Sequence, residues 1–515
     1  MNCVACHAAP EPVRQRLTVR PAPDLRVLGG WRTPGHVARY LGAPQRVRPG
    51  TTMPDLFHGL EAGERGGRIA ALAALIEAAR RSASPEVRVS SALRVAQGRV
   101  LYHQVGCIAC HPAFDPAAVA LGSSAANGWH GEEAAPAVIE GVWPAVDLGW
   151  VGDAWTEQGL AAFLEQPERL RADSRMPSLG LTADEARAIA AYLLRQTRHV
   201  EGTRGKPPAP QAAGLIAAGR RWFAGMNCAA CHPGLVEGTN VPAPEPARPL
   251  PALHPGSATG CLAENPPPGR PAYALSARQR RALVLALESM APNAGPPTPA
   301  EALHRWLATF NCFACHVRGE RGGPWPAQAG FFRSRSAGDL GDEGRFPPRL
   351  DQAGAKLRPE WLARVLQERL RPRPYLAIRM PVWSAERAAQ LTSVFGEVDR
   401  NGAEASEAPM TGLDPATGAR LLGPEGCGCV TCHRLDGRPG WTLSAMDLAW
   451  TTRRLEWSWF RRYLEDPSAL RPGTRMPSFW PGGRAALADV LGGDARAQIS
   501  AVWRYLETRP DPDPD

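Results

Sequence analysis

Residues 312–316 read Cys312-Phe-Ala-Cys315-His316, and four further segments repeat the pattern: Cys3-Val-Ala-Cys6-His7, Cys107-Ile-Ala-Cys110-His111, Cys228-Ala-Ala-Cys231-His232 and Cys429-Val-Thr-Cys432-His433. Cysteine and histidine each occur 12 times in 515 residues, so chance supplies on the order of 0.01 copies of such a motif. Five copies therefore record selected chemistry. The motifs use every cysteine except Cys261 and Cys427.

The spacing is that of c-type haem attachment. Two thiols three positions apart on one helical turn reach the two vinyl groups of a single porphyrin, and the adjacent imidazole rises to the iron. A disulfide framework has no need of a histidine after every pair. Zinc ribbons bring two Cys-x-x-Cys units within about 15–20 residues, whereas these motifs stand about 80–120 residues apart. A thioredoxin-like redox pair needs a βαβ setting, and none is legible.

Working outward from the motifs, a second element recurs: Thr52-Met53-Pro54, Arg175-Met176-Pro177, Arg379-Met380-Pro381 and Arg475-Met476-Pro477, in a chain with only nine methionines. About thirteen residues before each methionine stands an apolar pair, Tyr40-Leu41, Phe163-Leu164, Val365-Leu366 and Tyr463-Leu464. Pro44, Pro167 and Pro467 each lie nine residues before a methionine and end a helix there. After the methionines come further helical signals. Thr182 to Glu185 reads as a capping box before Ala186, Ile189, Ala190 and Leu193, and Ser276 to Gln279 repeats it. Asp494 is an N-cap candidate before Ile499, Val502, Trp503 and Leu506. Trp155, Trp361, Trp457 and Trp459 fall in the middle-helix regions and read as core.

Helix, Cys-x-x-Cys-His, middle helix, methionine loop and terminal helix together resemble the class I cytochrome c domain, over essentially the whole chain. The resemblance implies a multihaem c-type cytochrome, all-α, built of tandem small cytochrome c-like helical domains with long Pro/Gly-rich loops. The expected domains are 1–84 (lacking an N-terminal helix), 88–200, 209–292 (with an atypical distal side), 298–398 and 410–511. It also implies five covalent haem c groups, with His7, His111, His232, His316 and His433 as proximal iron ligands. Met53, Met176, Met380 and Met476 are the implied distal ligands, paired as His7/Met53, His111/Met176, His316/Met380 and His433/Met476. Thioether ligation favours reduced iron and a raised potential. Arg175, Arg379 and Arg475, beside the methionines, either grip a haem propionate or stay solvated.

The third unit departs from the pattern, because no methionine lies between His232 and Ser276. Its loop offers His254 or Cys261 as a distal ligand, or leaves the iron open. Cys261 and Cys427 are alternatively a disulfide pair.

The formal charge of +9 is nearly all scattered arginine, with Lys206 and Lys356 the only lysines, so no basic block points to nucleic acid. Five haems bring on the order of ten propionate charges, which offset that surplus. No run of apolar residues is long enough to span a membrane. Haem attachment implies a periplasmic or otherwise extracytoplasmic site. With no secretory signal and no helix ahead of Cys3, the expected N-terminus is truncated or miscalled. These features predict an electron carrier between redox proteins, not an enzyme. The alternatives are the electron-accepting module of a larger dehydrogenase, or a peroxidase-like enzyme at the third haem with His254 and Glu264 nearby.

Overall fold

The computed structural model describes residues 3–17, 22–33, 35–79, 90–111, 146–171, 174, 176–196, 213–236, 247–254, 257, 260–289, 295–336, 338–400 and 408–511. Two compact units emerge, one of Met1–Leu101 with Val146–Thr298, the other of Tyr102–Ala145 with Pro299–Asp515. The class is mostly α: among the described residues the strands are limited to the hairpin Val317–Arg318 with Arg321–Gly322.

In the first unit α1 (Leu25–Trp31) opens on Asp24, whose carboxylate accepts from the Arg26 backbone N–H, satisfying a donor that a helix start leaves free. The short α2 (His36–Gly42) gives way to Pro44, and α3 (Ala62–Ala78) follows the Met53 loop. The second half of α3, Ala71 to Ile76, is buried without a break because neighbours cover it on more than one side. The next helices are α4 (Ala92–Gln104), which crosses the unit boundary, α5 (Glu157–Glu165) and α6 (Ala183–Gln196). The Thr182 hydroxyl accepts from the Glu185 N–H at 3.2 Å while the Glu185 carboxylate accepts from the Thr182 N–H at 3.0 Å, as the capping box predicts. Beyond them lie α7 (Ala213–Gly225) and α8 (Ala277–Ser289). Ser276 and Gln279 cap α8 reciprocally, but no side chain of α8 is buried.

The second unit adds α9 (Pro299–Thr309), α10 (Pro359–Gln367), α11 (Ala385–Arg400), α12 (Pro415–Leu422), α13 (Trp457–Glu465) and α14 (Ala495–Glu507), the last capped by Asp494. Leu303 and Leu307 of α9 meet Ala388, Leu391 and Phe395 of α11 in one core. Leu421 and Leu422 of α12 meet Ile499, Val502 and Trp503 of α14 in another. Trp361, Trp457 and Trp459 are buried, as is Trp155 in the first unit.

A glycine marks several of the helix crossings. A Cβ on Gly219 of α7 would stand 2.2 Å from the Ala71 carbonyl oxygen of α3, one on Gly98 of α4 1.9 Å from that of Ala188 in α6, and one on Gly418 of α12 2.1 Å from that of Ala501 in α14. Backbones this close leave no room for a side chain.

The first of these crossings corrects the expected domains 1–84 and 209–292. The terminal helix of the Met53 segment, α3, packs on α7, the helix leading into Cys228, so the two segments interleave in one body. The apolar face of α7 and the gap at Gly219 fit α3. The boundaries at 84, 88, 200, 209 and 292 lie outside the described residues.

Candidate functional site

The motifs begin in the same way. The residue before the first cysteine has a positive φ at Asn227 (55°), Asn311 (56°), Gly106 (123°) and Gly428 (66°). Asparagine and glycine are the residues that tolerate this conformation. The turn stands immediately ahead of the short helical Cys-x-x-Cys segment. The alternation of Asn and Gly at this position is visible in the sequence.

Four of the motif histidines are held by a backbone carbonyl. His7 Nδ1 lies 2.7 Å from Arg248 O, His232 Nδ1 3.0 Å from Pro23 O, His316 Nδ1 2.6 Å from Pro348 O and His433 Nδ1 3.0 Å from Met446 O. A carbonyl only accepts, so Nδ1 carries the proton and Nε2 keeps its lone pair, the tautomer and orientation of a metal ligand. Burial lowers the pKa of His232, His316 and His433 against the small opposing effect of that hydrogen bond, so these rings stay neutral.

Three of the repeated methionines border the same cores as motif cysteines: Met380 and Cys312 line one, Met476 and Cys429 another, Met53 and Cys228 a third. Met53 thus belongs to the His232 site, where Pro23 and α2 complete the surround, and the pairing His7/Met53 is corrected to His232/Met53. The methionine missing after His232 is supplied from the far end of the chain. For His111 and Met176 the two residues belong to different units.

The loop without methionine closes instead on the first motif. Ala247 pairs with His7 as an isolated bridge, and the Leu250 N–H donates to Ala8 O at 2.7 Å. Cys3 and Cys6 act on the Cys261 thiol, which burial first and then both neighbours push up. Tyr273 is raised by burial and then by Cys261, Cys6, Cys231 and Cys3. Cys261 therefore lies near the first motif, and Tyr273 near cysteines of both the first and the third, while His254 and Glu264 are exposed.

A serine or threonine two residues before the methionine accepts its backbone N–H at Thr51, Ser174 and Thr474, at 3.2, 3.2 and 3.3 Å. The Tyr40 and Tyr463 hydroxyls pair with Thr51 and Thr474 at 2.5 and 3.4 Å. This recurrence was also open to sequence reading. Arg475 is exposed and pairs with Asp339 at 2.7 Å, so it takes the solvated alternative. The Arg379 backbone N–H donates to Val105 O, and Arg175 lies outside the described residues.

In the second unit two motifs stand side by side. Ala109, Ala314 and Phe332 share a small core with Cys110 and Cys315, and Asn311 Nδ2 donates to Cys110 Sγ at 3.2 Å. Neither Cys261 nor Cys427 is in a disulfide, and Cys427 is buried against Leu421. Burial pushes Cys107, Cys312 and Cys429 up to about 12 and Cys228 to about 11, so these thiols are protonated. Among the described residues no three His, Cys, Asp or Glu side chains converge to hold a metal ion. Among them, too, no helix is long and apolar enough to cross a membrane.

No protein-family model, curated protein or solved structure matches the chain.

Proposed function

We propose that the chain is a pentahaem c-type cytochrome of cytochrome c-like modules, carrying electrons between redox partners outside the cytoplasm. The observation that carries this reading is the threefold recurrence of one arrangement. A motif cysteine and a repeated methionine share a core, beside a neutral histidine whose Nδ1 is held by a carbonyl.

In this reading Cys3/Cys6, Cys107/Cys110, Cys228/Cys231, Cys312/Cys315 and Cys429/Cys432 hold the haems, each thiol adding its S–H across a vinyl group. His7, His111, His232, His316 and His433 ligate on one side; Met53 serves the His232 site, Met380 the His316 site and Met476 the His433 site, and Met176 is the fourth distal methionine. Bound haem supplies a one-electron Fe(III)/Fe(II) couple. The chain's part is to fix both ligands in advance. The carbonyls orient the imidazoles, the Thr51 and Thr474 hydroxyls pin the methionine loops, and the cores keep water from the sulfur. At the methionine-bearing sites six-coordinate iron would leave no place for a substrate, which favours carriage over catalysis there. Exposure of His254 and Glu264 removes the placed acid–base pair that a peroxidase-like site requires.

The test is intact mass of the chain expressed behind a secretory signal with a c-type maturation system. The expected increment is five haems, roughly 3 kDa in all. No increment, or zinc in its place, refutes the reading.

A further inference from the structure

The Cys107 motif is built into the Cys312 site of the same unit. Ala109 and Ala314, each just before the second cysteine of its motif, share one buried core with Phe332, and Cys110 and Cys315 both border it. Asn311, which opens the Cys312 motif at a φ of 56°, donates from Nδ2 to Cys110 Sγ at 3.2 Å. Around this contact the His103 ring stacks on Phe331 at 5.2 Å, and the Arg379 N–H donates to Val105 O at 3.1 Å. A Cβ on Gly106 would stand 3.2 Å from Ile378 Cγ1, so the turn that opens the Cys107 motif lies against the loop that carries Met380. Burial pushes the Cys315 thiol well up, and after burial Cys110 raises it more than Cys312, its own motif partner, does.

The residue before the second cysteine is alanine in four motifs, Ala5, Ala109, Ala230 and Ala314, and Thr431 in the fifth. A methyl group is small enough for two such turns to close on one another. In the first unit Cys6 likewise raises the Cys231 thiol, after burial. The fifth motif is covered by its own loop instead. The Thr431 carbonyl accepts from the Thr442 N–H at 2.9 Å and from the Thr442 hydroxyl at 3.0 Å, and that hydroxyl lies 3.9 Å from Cys432 Sγ.

Covalent attachment fixes where a haem can lie. The second cysteine of each motif ends as a thioether on one edge of its porphyrin. Two such sulfurs bordering one core of two alanines and a phenylalanine therefore bring two porphyrin edges together. The Asn311 amide can go on donating to the Cys110 sulfur after attachment, because a thioether keeps its lone pairs when the S–H is lost. The apolar residues of the shared core hold water away, so a charge added at one site is felt at the other.

We infer that the Cys107–Cys110 and Cys312–Cys315 turns form one joint attachment surface that holds their two haems side by side as an electron-exchanging pair, with Asn311 as the positioning residue between them. The inference rests on the haem reading above. Within the pair one iron passes from Fe(II) to Fe(III) as the other passes from Fe(III) to Fe(II), an exchange of one electron that needs no proton and no further reactant. The fifth motif, closed by its own loop, holds its haem outside this pair.

The test is circular dichroism in the Soret band of the haem-loaded full chain, with attached haem counted by intact mass. Two porphyrins in close approach split that band into a couplet of opposite signs. Cys107→Ser/Cys110→Ser and Cys312→Ser/Cys315→Ser are each expected to lose the same couplet, and all four substitutions together to lose no more of it than either pair. Cys429→Ser/Cys432→Ser leaves it in place. Asn311→Gly, which keeps the positive φ that Gly106 and Gly428 supply in other motifs, retains five haems and weakens the couplet. A wild-type spectrum with no couplet, or one that the Cys107 and Cys312 variants leave unchanged, overturns the inference while five attached haems leave the cytochrome reading standing. A couplet undiminished in Asn311→Gly overturns the part given to Asn311. Absence of attached haem in the wild-type chain overturns the haem reading itself.

Discussion

Gly219→Ala tests the interleaving of the first unit directly. The added methyl would sit 2.2 Å from the Ala71 carbonyl oxygen and 2.9 Å from Leu75 Cβ, both on α3. Comfortable contact needs about 3.5 Å, so α3 and α7 must part by roughly 1 Å. Overpacking of this kind costs about 1–3 kcal/mol, and the better helix propensity of alanine returns up to about 1 kcal/mol. The net loss is about 1–2 kcal/mol, which for a body of this size lowers its midpoint by about 2–8 °C. Thermal unfolding measures the loss, and hydrogen exchange locates it. Protection should fall in 62–78 and 213–225, and in 277–289 no more than in distant helices. Had 209–292 been a domain by itself, α7 would close on α8. Faster exchange in 277–289 with 62–78 unmoved would refute the interleaved fold.

Met53→Ala should remove one methionine–iron optical signature, and should do so equally in a Cys3→Ser/Cys6→Ser background; in a Cys228→Ser/Cys231→Ser background it should remove none, and the opposite pattern would restore the pairing with His7. The Met-free loop leaves one iron accessible, so carbon monoxide should bind a single haem of the reduced protein, and Cys3→Ser/Cys6→Ser should abolish that binding; binding that survives the double substitution would place the open iron elsewhere. Burial raises the Cys427 thiol from 9.0 to about 11. The folded form therefore holds its proton where the unfolded chain has lost it, so this contribution to stability is complete below pH 9 and is lost as pH rises to about 11. Denaturant titrations should show Cys427→Val flattening the alkaline loss by at most about 1.4 kcal/mol per pH unit, and an unchanged slope would show that the thiol is not protected.

What the sequence disclosed was local. The Cys-x-x-Cys-His pattern, the methionine loops, the helix-ending prolines and the caps at Thr182, Ser276 and Asp494 all depend on a few neighbouring residues, and the structure bears out the caps hydrogen bond by hydrogen bond. The partner of each half was not legible, because adjacency in sequence is only a guide to adjacency in space. Met53 is 46 positions from His7 and 179 from His232, yet the shape of α7 at Gly219 decides the matter. Nor did Arg32 and Arg454 stand out among so many arginines. Arg32 pairs by backbone with Trp155, and Arg454 O accepts from the Arg358 N–H, placements that no local pattern encodes.

The nesting has a consequence for assembly. In the second unit, the Cys312 and Cys429 sites are each built from one continuous stretch, so the carbonyl, methionine loop and closing helix follow soon after the motif. In the first unit the order is reversed: the Met53 half precedes the Cys228 motif that it covers, and the Cys3 motif waits for Ala247 to Tyr273. Contacts between residues more than 200 positions apart, such as His7 with Arg248 and His232 with Pro23, carry a loop-closure cost that must be met before they return anything. On the haem reading, Cys3 and Cys6 precede their distal segment in the chain, whereas Met53 precedes the Cys228 motif. The first unit cannot be divided between 84 and 209 without separating both sites from their distal halves, whereas the linker between α11 and α12 leaves the Cys312 motif on the side of Met380 and the Cys429 motif on the side of Met476.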